Sequence, residues 1–206
     1  MMSEREIASI IVQRGAGVER FMVAVAGPPG SGKSTLAEKL VGLLPRGEAA
    51  LLQADGFHFD NALLDQLGRR ERKGAPDTFD CAGLASLLRR VRALEADVTV
   101  PAFDRTLDLA RAGVAQIGRS TRYVVVEGNY LLVREQPWAN LRPLFDFTLM
   151  IETPRAELER RLTQRWLDHG RDHAEALAWV QSNDMPNADY VMSKSADADL
   201  VWQQGA

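Results

Sequence analysis

Nine residues near the amino terminus restrict the fold of this chain more than any other part of the sequence. Residues 27–35 read Gly-Pro-Pro-Gly-Ser-Gly-Lys-Ser-Thr, which carries every fixed position of the pattern GxxxxGK[ST]. Residues 21–26 form an apolar run of strand length, and residues 36–44 have helical periodicity that stops at Pro45. The sequence therefore predicts a strand, a phosphate-binding loop and a helix in direct succession.

This loop predicts a site for a nucleoside triphosphate and Mg²⁺. Its glycines let backbone N–H groups turn inward around a polyphosphate, and the start of the helix adds partial positive charge. Lys33 is expected to reach the β- and γ-phosphates, and Ser34 is expected to bind Mg²⁺. A chance match in a glycine-rich turn is disfavoured by the strand and the helix around it. The predicted nucleotide-binding residues are Gly27, Pro28, Pro29, Gly30, Ser31, Gly32, Lys33, Ser34 and Thr35.

The composition indicates a single soluble domain over residues 1–206. At 46% hydrophobic residues, a chain of 206 residues can bury a full core in one domain. A net charge of −3 gives no field for holding nucleic acid or an anionic membrane surface, and the single Cys81 fits a reducing compartment. The start is charged where a signal peptide is apolar, and no apolar run approaches the roughly 20 residues of a membrane span. We expect a cytoplasmic protein without membrane insertion or a nucleic-acid partner.

Strands and helices are expected to alternate along the chain. Predicted strands lie near 20–26, 49–54, 97–102, 123–126, 145–151 and 199–202. Predicted helices lie near 3–18, 33–44, 82–95, 154–168 and 172–182, with an irregular segment at 59–80 and a hairpin within 103–119. The tryptophans at 138, 166, 179 and 202 are expected in the core. This order predicts an α/β fold, a P-loop NTPase three-layer α/β/α sandwich with a mostly parallel sheet and a helical lid.

Two acidic residues directly follow predicted strands. Asp55 follows the strand at 49–54, and Glu127 follows the strand at 123–126. Because ligands bind beyond the carboxyl ends of parallel strands, both carboxylates would face the phosphate loop. Asp55 is the candidate to orient and deprotonate a hydroxyl that attacks the γ-phosphate, and Glu127 is the candidate second Mg²⁺ ligand, directly or through water. The simpler alternative for each is a carboxylate that caps a strand-to-loop turn.

Arginines on and after the predicted helix at 154–168 indicate a lid. Arg161 and Arg165 lie one turn apart on one flank of this helix, and Arg171 follows Gly170 at the tip of a helical hairpin. Such a hairpin can close over the phosphates, exclude water and stabilise charge in the transition state. The sequence leaves open whether Arg161 or Arg165 acts with Arg171. Arg160 projects to the opposite side and is expected to be solvated.

Several further motifs follow in a recognisable order. They are Asp55-Gly56-Phe57, the stretch at 72–80, Pro101-Ala102-Phe103-Asp104, Val126-Glu127-Gly128, the arginines at 160, 161 and 171, and Ala198-Asp199-Leu200-Val201. Together with the phosphate loop they resemble the uridine kinase, phosphoribulokinase and pantothenate kinase family over most of the chain. The resemblance implies an ATP- and Mg²⁺-dependent kinase with Asp55 as the base for the accepting hydroxyl. It also implies catalytic roles for Lys33 and Arg171, nucleotide contacts from the lid, and an acceptor pocket bounded by His58, Arg72, Phe103 and Asp104.

Departures from the family pattern bear on the acceptor. Phe103 replaces a tyrosine and so removes a hydroxyl, and His169 stands where uridine kinases have a lid arginine. His58 and the run Asn-Asp-Met-Pro-Asn at 183–187 are not uridine kinase features. They resemble a bacterial branch described as nucleoside/nucleotide kinase-like, some members of which are assigned to fructose-transport kinases. Asn183 therefore joins the expected acceptor-binding residues, while the roles of His169 and Asp184 stay open.

The sequence favours transfer of the γ-phosphoryl group of ATP to a hydroxyl of a small metabolite, with a fructose-like sugar preferred. Kinases of uridine, another nucleoside or pantothenate are the next alternatives. A nucleoside monophosphate kinase ranks lower, because Asp55 and Asp104 would repel its anionic acceptor. A nucleotide-hydrolysing regulatory switch is the alternative of a different class, and the guanine-reading Asn-Lys-x-Asp that a GTPase needs is absent from the sequence. The acceptor and the oligomeric state stay open, with a homodimer as one alternative.

Overall fold

Seven strands and seven α-helices lie within residues 2–203, the part of the chain that this computed structural model describes. The strands are β1 (Phe21–Ala26), β2 (Ala49–Gln53), β3 (Val98–Asp104), β4 (Leu109–Ile117), β5 (Tyr123–Gly128), β6 (Phe147–Glu152) and β7 (Leu200–Gln203). The helices are α1 (Glu4–Arg14), α2 (Lys33–Leu43), α3 (Asn61–Gln66), α4 (Cys81–Arg92), α5 (Arg155–Asp168), α6 (His173–Trp179) and α7 (Met185–Lys194). Within the same residues, no helix has both the length and the apolar character that crossing a membrane requires.

Five of the strands form a parallel sheet in the order β2-β5-β1-β6-β7. Every residue of β1 and β5 is buried, as expected of parallel strands that are covered on both faces. Successive residues of β1 belong to different cores. Met22 and Ala24 pack in a cluster that includes α4, whereas Val23 and Val25 pack with α1 and α2. The two clusters confirm the predicted three-layer sandwich.

A third apolar cluster joins the helices that follow β6. Leu158 and Leu162 of α5 pack with Met185 and Ala188 of α7. A Cβ atom added to Gly30 would lie 3.0 Å from the Leu162 side chain, so α5 lies directly against the phosphate loop. Packing of this kind holds the α5–α7 segment beside the carboxyl ends of the strands, where a helical lid was predicted.

The structure corrects several predicted elements. The segment at 59–80 is not wholly irregular, since it contains α3 and a short 3₁₀ turn, Arg70–Arg72. Residues 98–117 form an antiparallel hairpin, β3 with β4, outside the central sheet. The predicted helix end at 182 is wrong, because a π-helical turn, Val180–Asp184, leads into α7. Pro186 lies in the first turn of α7, where its missing N–H costs no helical hydrogen bond, so it does not end the helix.

Candidate active site

The loop between β1 and α2 has a backbone that depends on glycine. Gly30 and Gly32 have φ angles of 80° and 83°, in the left-handed region that favours glycine. A Cβ atom at Gly27 would lie 2.6 Å from Ser31 Oγ. Helix α2 begins directly after this loop, and no side chain caps its first N–H groups. Those N–H groups and the positive end of the helix are therefore available for anionic phosphates.

Lys33, the first residue of α2, is buried inside this loop. Its Nζ donates to the Pro28 carbonyl oxygen at 3.4 Å. Burial lowers the pKa of Lys33, while the nearby carboxylates of Glu127 and Asp55 act in the opposite direction. The lysine is thus a poorly solvated cation at the place where a triphosphate would supply negative charge.

Ser34 and Glu127 bring two oxygen ligands together beside the loop. Ser34 Oγ donates to Glu127 Oε2 at 3.2 Å. Glu127, near the end of β5, is only 2% exposed. Burial, and secondly the charge of Asp55, raise the pKa of Glu127 to about 7. A hydroxyl and a carboxylate fit Mg²⁺, which prefers oxygen ligands and completes its shell with waters and substrate phosphates.

The raised pKa of Glu127 predicts a stability that depends on pH. The folded protein keeps this proton up to a pH of about 7, whereas the unfolded chain loses it near 4.5. Stability should therefore fall as pH rises between these values, by up to about 3 kcal/mol from this group. We expect Glu127→Gln to remove most of that loss, measured as the free energy of unfolding in urea at pH 5 and pH 8 with a chelator present. Equal pH dependence in both proteins would contradict the prediction.

A cavity of about 580 Å³ extends from the phosphate loop along the carboxyl ends of the strands. Asp55 lines it from a 3₁₀ turn, Ala54–Phe57, which directly follows β2. A Cβ atom on Gly56 would lie 2.8 Å from the Pro101 backbone, so this turn can approach β3 only with glycine there. Asp55 Oδ2 lies 3.2 Å from Nη2 of Arg105. The cavity is thus shared by a carboxylate and by the loop that would hold the phosphates.

His58 forms part of the same wall. Its Nδ1 lies 2.8 Å from the Asp55 carbonyl oxygen, and its ring packs against Phe79 and Phe103. Burial lowers the pKa of His58, which favours the neutral ring. Since a carbonyl oxygen only accepts, Nδ1 carries the proton and Nε2 is left as an acceptor.

The predicted lid arginines occupy three different environments. Arg165 lines the cavity and lies 3.6 Å from Asp184. Arg161 pairs with Glu157 at 2.7 Å and also donates to the Gly30 carbonyl oxygen at 3.5 Å. Arg171 does not line the cavity, because its guanidinium lies over the rings of two tryptophans instead. A contact of Arg171 with the γ-phosphate therefore remains a prediction that requires this arginine to move.

The predicted acceptor residues are only partly brought together. His58, Phe103 and Asn183 line the cavity, as expected. Asp104 does not, because Oδ1 of its carboxylate accepts the backbone N–H groups of the turn after β3. Arg72 is likewise directed away from the cavity and donates to the Ser182 carbonyl oxygen at 2.6 Å. These two positions correct the expectation that both residues bound the acceptor pocket.

Several cavity residues were not predicted. Trp166 and Trp179 line the cavity, which corrects the prediction that all four tryptophans are core residues; Trp138 and Trp202 are buried. Also missed were Arg70, Lys73, Arg105, Asp108, Asn129 and Asn187. Part of this set carried a signal in the sequence, since Lys73 lies within the stretch at 72–80 and Arg105 directly follows Pro101-Ala102-Phe103-Asp104.

A second cavity, of about 500 Å³, also borders the phosphate loop. Pro28 of that loop lines it, together with the segment at 150–154, Met192 and Gln203. Thr153 Oγ is buried here without a hydrogen-bond partner. Its apolar wall and unpaired hydroxyl fit a flat heterocycle with polar edges.

The parallel sheet, the glycine-dependent loop and the paired cavities define a P-loop kinase. A sequence profile of the phosphoribulokinase / uridine kinase family matches residues 22–206. The chain belongs to this family. It is accordingly an ATP-dependent phosphotransferase that acts on hydroxyl groups.

Individual relatives agree with this assignment. A proposed fructose transport system kinase from Silicibacter sp. TM1040 superposes with a TM-score of 0.93 at 40% identity, covering 98% of this chain and 100% of that one. The uncharacterized protein YggC of Escherichia coli (strain K12) is 37% identical over 186 residues, which are 88% of this chain and 77% of YggC. A proposed uridine kinase of Schizosaccharomyces pombe is 28% identical over 90% of this chain and 84% of its own length.

Proposed function

We propose that this protein transfers the γ-phosphoryl group of Mg²⁺-ATP to a hydroxyl of a small, uncharged, polyhydroxylated acceptor, with a fructose-like sugar as the first candidate. The observation that carries the proposal is the cavity itself. It is lined by Lys33 and Ser34 of the phosphate loop and also by Asp55, so the loop and the carboxylate share one space. A cavity of about 580 Å³ would accommodate an alcohol together with the γ-phosphate.

The nucleotide would span both cavities. Its phosphates would lie on the N–H groups of the loop at 27–35, beside Lys33, and its adenine would enter the second cavity near Thr153. Ser34 and Glu127 would hold Mg²⁺, which neutralises charge on the phosphate oxygens when it is bound. Arg165 would add positive charge from α5, and Arg161 and Arg171 would join it if the lid closes further.

Asp55 would act as the general base. In the reaction, the acceptor oxygen forms a bond to the γ-phosphorus while the bond from that phosphorus to the ADP oxygen breaks. The hydroxyl proton passes to the Asp55 carboxylate. Phosphoryl transfer depends chiefly on positioning and charge, so the base also orients the attacking oxygen.

The unpaired atoms of the cavity favour an acceptor rich in hydroxyl groups. Asn129 Oδ1 and Asn183 Oδ1 are buried without partners among the described residues. The amide of Asn183 is oriented by its Nδ2, which donates to the Lys73 carbonyl oxygen at 3.2 Å. With Nε2 of His58, these atoms are hydrogen-bond acceptors. A ligand that satisfies them must supply donors, as a polyol does and a phosphate or carboxylate group does not.

The charges at the acceptor end also favour an uncharged ligand. Arg70 and Lys73 share Asp108, at 3.4 Å and 3.0 Å, and Arg105 faces Asp55. Lys73 Nζ additionally donates to two oxygen atoms at 2.6 Å, which uses its three protons. A nucleoside monophosphate would find these cations already paired. The similarity to a proposed fructose transport system kinase agrees with a sugar, whereas uridine or pantothenate would follow from other relatives.

The deciding experiment is a measurement of ADP release from ATP and Mg²⁺ across a panel of acceptors. The panel contains free hexoses and polyols, their phosphates, nucleosides, pantothenate and nucleoside monophosphates. We expect turnover with an uncharged sugar or polyol. Turnover only with a nucleoside, pantothenate or a monophosphate would overturn the acceptor class. ATP hydrolysis that responds to a protein and to no small molecule would favour a regulatory switch.

Asn183→Ala is expected to raise KM for the accepted compound about tenfold, because one buried hydrogen bond is lost. Binding of ATP should not change, since Asn183 lies at the acceptor end of the cavity. Asn140→Ala is the matched control, because Asn140 is exposed and its side chain makes no hydrogen bond in the described residues. An unchanged KM in Asn183→Ala would remove this residue from acceptor recognition.

A further inference from the structure

Arg105 lines the cavity but belongs neither to the phosphate loop nor to the lid segment α5–α7. It directly follows β3, at the start of the turn that leads into β4, and its Nη2 lies 3.2 Å from Asp55 Oδ2. The arginine side chain is 56% exposed, whereas that of Asp55 is 20% exposed. The group proposed as the base is therefore covered by a cation that reaches it from the solvent side.

The backbone around Arg105 is fixed on both sides. The Asp104 carboxylate accepts the N–H groups of Thr106 and Leu107, each at 3.1 Å. At the other end of the turn, the Asp108 carbonyl oxygen accepts from Lys73 Nζ at 2.6 Å. These bonds hold the turn on the body of the protein. The position of the Arg105 backbone is thus set by the fold.

The contact between Arg105 and Asp55 is suited to being displaced. A half-exposed ion pair contributes little, since solvent screens it. An acceptor that binds through several hydroxyl groups gains enough interaction to replace it, whereas a single water molecule brings no such binding energy. The acceptor can therefore displace Arg105 from Asp55, whereas a water molecule cannot.

We propose that Arg105 is a positioning residue that reserves Asp55 for the acceptor and keeps it from activating water. The proposal rests on the proposed function, because it takes Asp55 as the base. In the reaction that Arg105 suppresses, a water oxygen bonds to the γ-phosphorus and the bond to the ADP oxygen breaks. The water proton passes to Asp55, and the products are ADP and inorganic phosphate.

The test measures the hydrolysis of ATP with Mg²⁺ in the absence of an acceptor. The rate is monitored as the release of inorganic phosphate. Arg105→Met is expected to raise this rate about fivefold, which converts to about 1 kcal/mol, the upper end for an exposed ion pair. Arg105→Lys should stay within about twofold of the wild type, because a lysine can keep the pairing. A loss of structure would lower the rate instead, so the sign of the change separates positioning from misfolding.

Two further variants complete the test. Arg119→Met is the matched control, because Arg119 is exposed and its side chain makes no hydrogen bond or ion pair among the described residues, and its rate should equal the wild type. In Asp55→Asn/Arg105→Met the rate should fall back to the wild-type level or below. A rate that does not rise in Arg105→Met, or a rise that persists without Asp55, would overturn the inference.

Binding of the non-hydrolysable analogue AMP-PNP with Mg²⁺ separates this inference from the proposed function. If the wild type does not bind the analogue, the proposed function itself fails. If it binds equally to the wild type and Arg105→Met and the hydrolysis rates are also equal, only the role of Arg105 is lost.

Discussion

Asp55→Asn is expected to lower kcat by about 10²–10⁴-fold, the range for loss of a general base. The asparagine keeps the size of the side chain but cannot take the proton from the acceptor hydroxyl. Asp55 lines the same cavity as the phosphate loop but is not part of that loop. The dissociation constant of Mg²⁺-ATP should therefore rise by less than about threefold, because the charge removed is a negative one near Lys33 and not a donor to the phosphates.

The measurement is steady-state turnover with the compound that the acceptor panel identifies, together with calorimetric binding of AMP-PNP. Asp197→Asn is the matched control, because Asp197 is exposed and its side chain makes no hydrogen bond or ion pair among the described residues. Turnover of Asp55→Asn at the wild-type rate would remove Asp55 from the mechanism. A parallel loss of nucleotide binding would instead indicate that Asp55 supports the phosphate site.

Lys33→Met is the second large effect that we expect, and it falls on the nucleotide. Removing one charged donor from a developing phosphate charge lowers kcat/KM for ATP by about 10²–10³-fold. The stability of the nucleotide-free protein should not fall. Burial already lowers the pKa of Lys33, so the native fold holds this cation at a cost, and an apolar side chain of similar length relieves it.

Lys39→Met provides a control within the same helix. Lys39 is exposed, is not part of the phosphate loop, and forms a surface ion pair with Glu4 at 3.0 Å. We expect its activity and its urea midpoint to stay close to those of the wild type. If Lys33→Met lowered the free energy of unfolding as well as the activity, the main role of Lys33 would be to stabilise the fold. That result would contradict its proposed role in binding the phosphates of ATP.

Much of the fold could be predicted from the sequence because its signals are local. The loop pattern, the apolar run before it and the helix after it lie within about 25 consecutive residues, and each is set by short-range preferences. Alternation of strands and helices then led to the parallel sheet. The same local reasoning failed at the helix predicted to end near 182, because the chain continues through a π-helical turn into α7.

The candidate site could be predicted where its residues belong to short motifs. Lys33 and Ser34 open a helix, Asp55 follows β2 and Glu127 lies near the end of β5, so their position at one edge of the sheet follows from topology. The residues expected to contact the phosphate acceptor could be predicted only in part. Asp104 was predicted to bound the acceptor pocket. In the structure its carboxylate instead accepts hydrogen bonds from backbone N–H groups of the adjacent turn.

The amino-acid sequence by itself therefore determined the fold class, the phosphate loop and the two carboxylates at the strand ends. Only the tertiary structure decided which side chains meet between them. The contact of Arg105 with Asp55 joins residues 50 positions apart, and that of Asn183 with Lys73 joins residues 110 positions apart. No local pattern encodes such pairs, because they depend on how the hairpin and the lid helices pack onto the sheet.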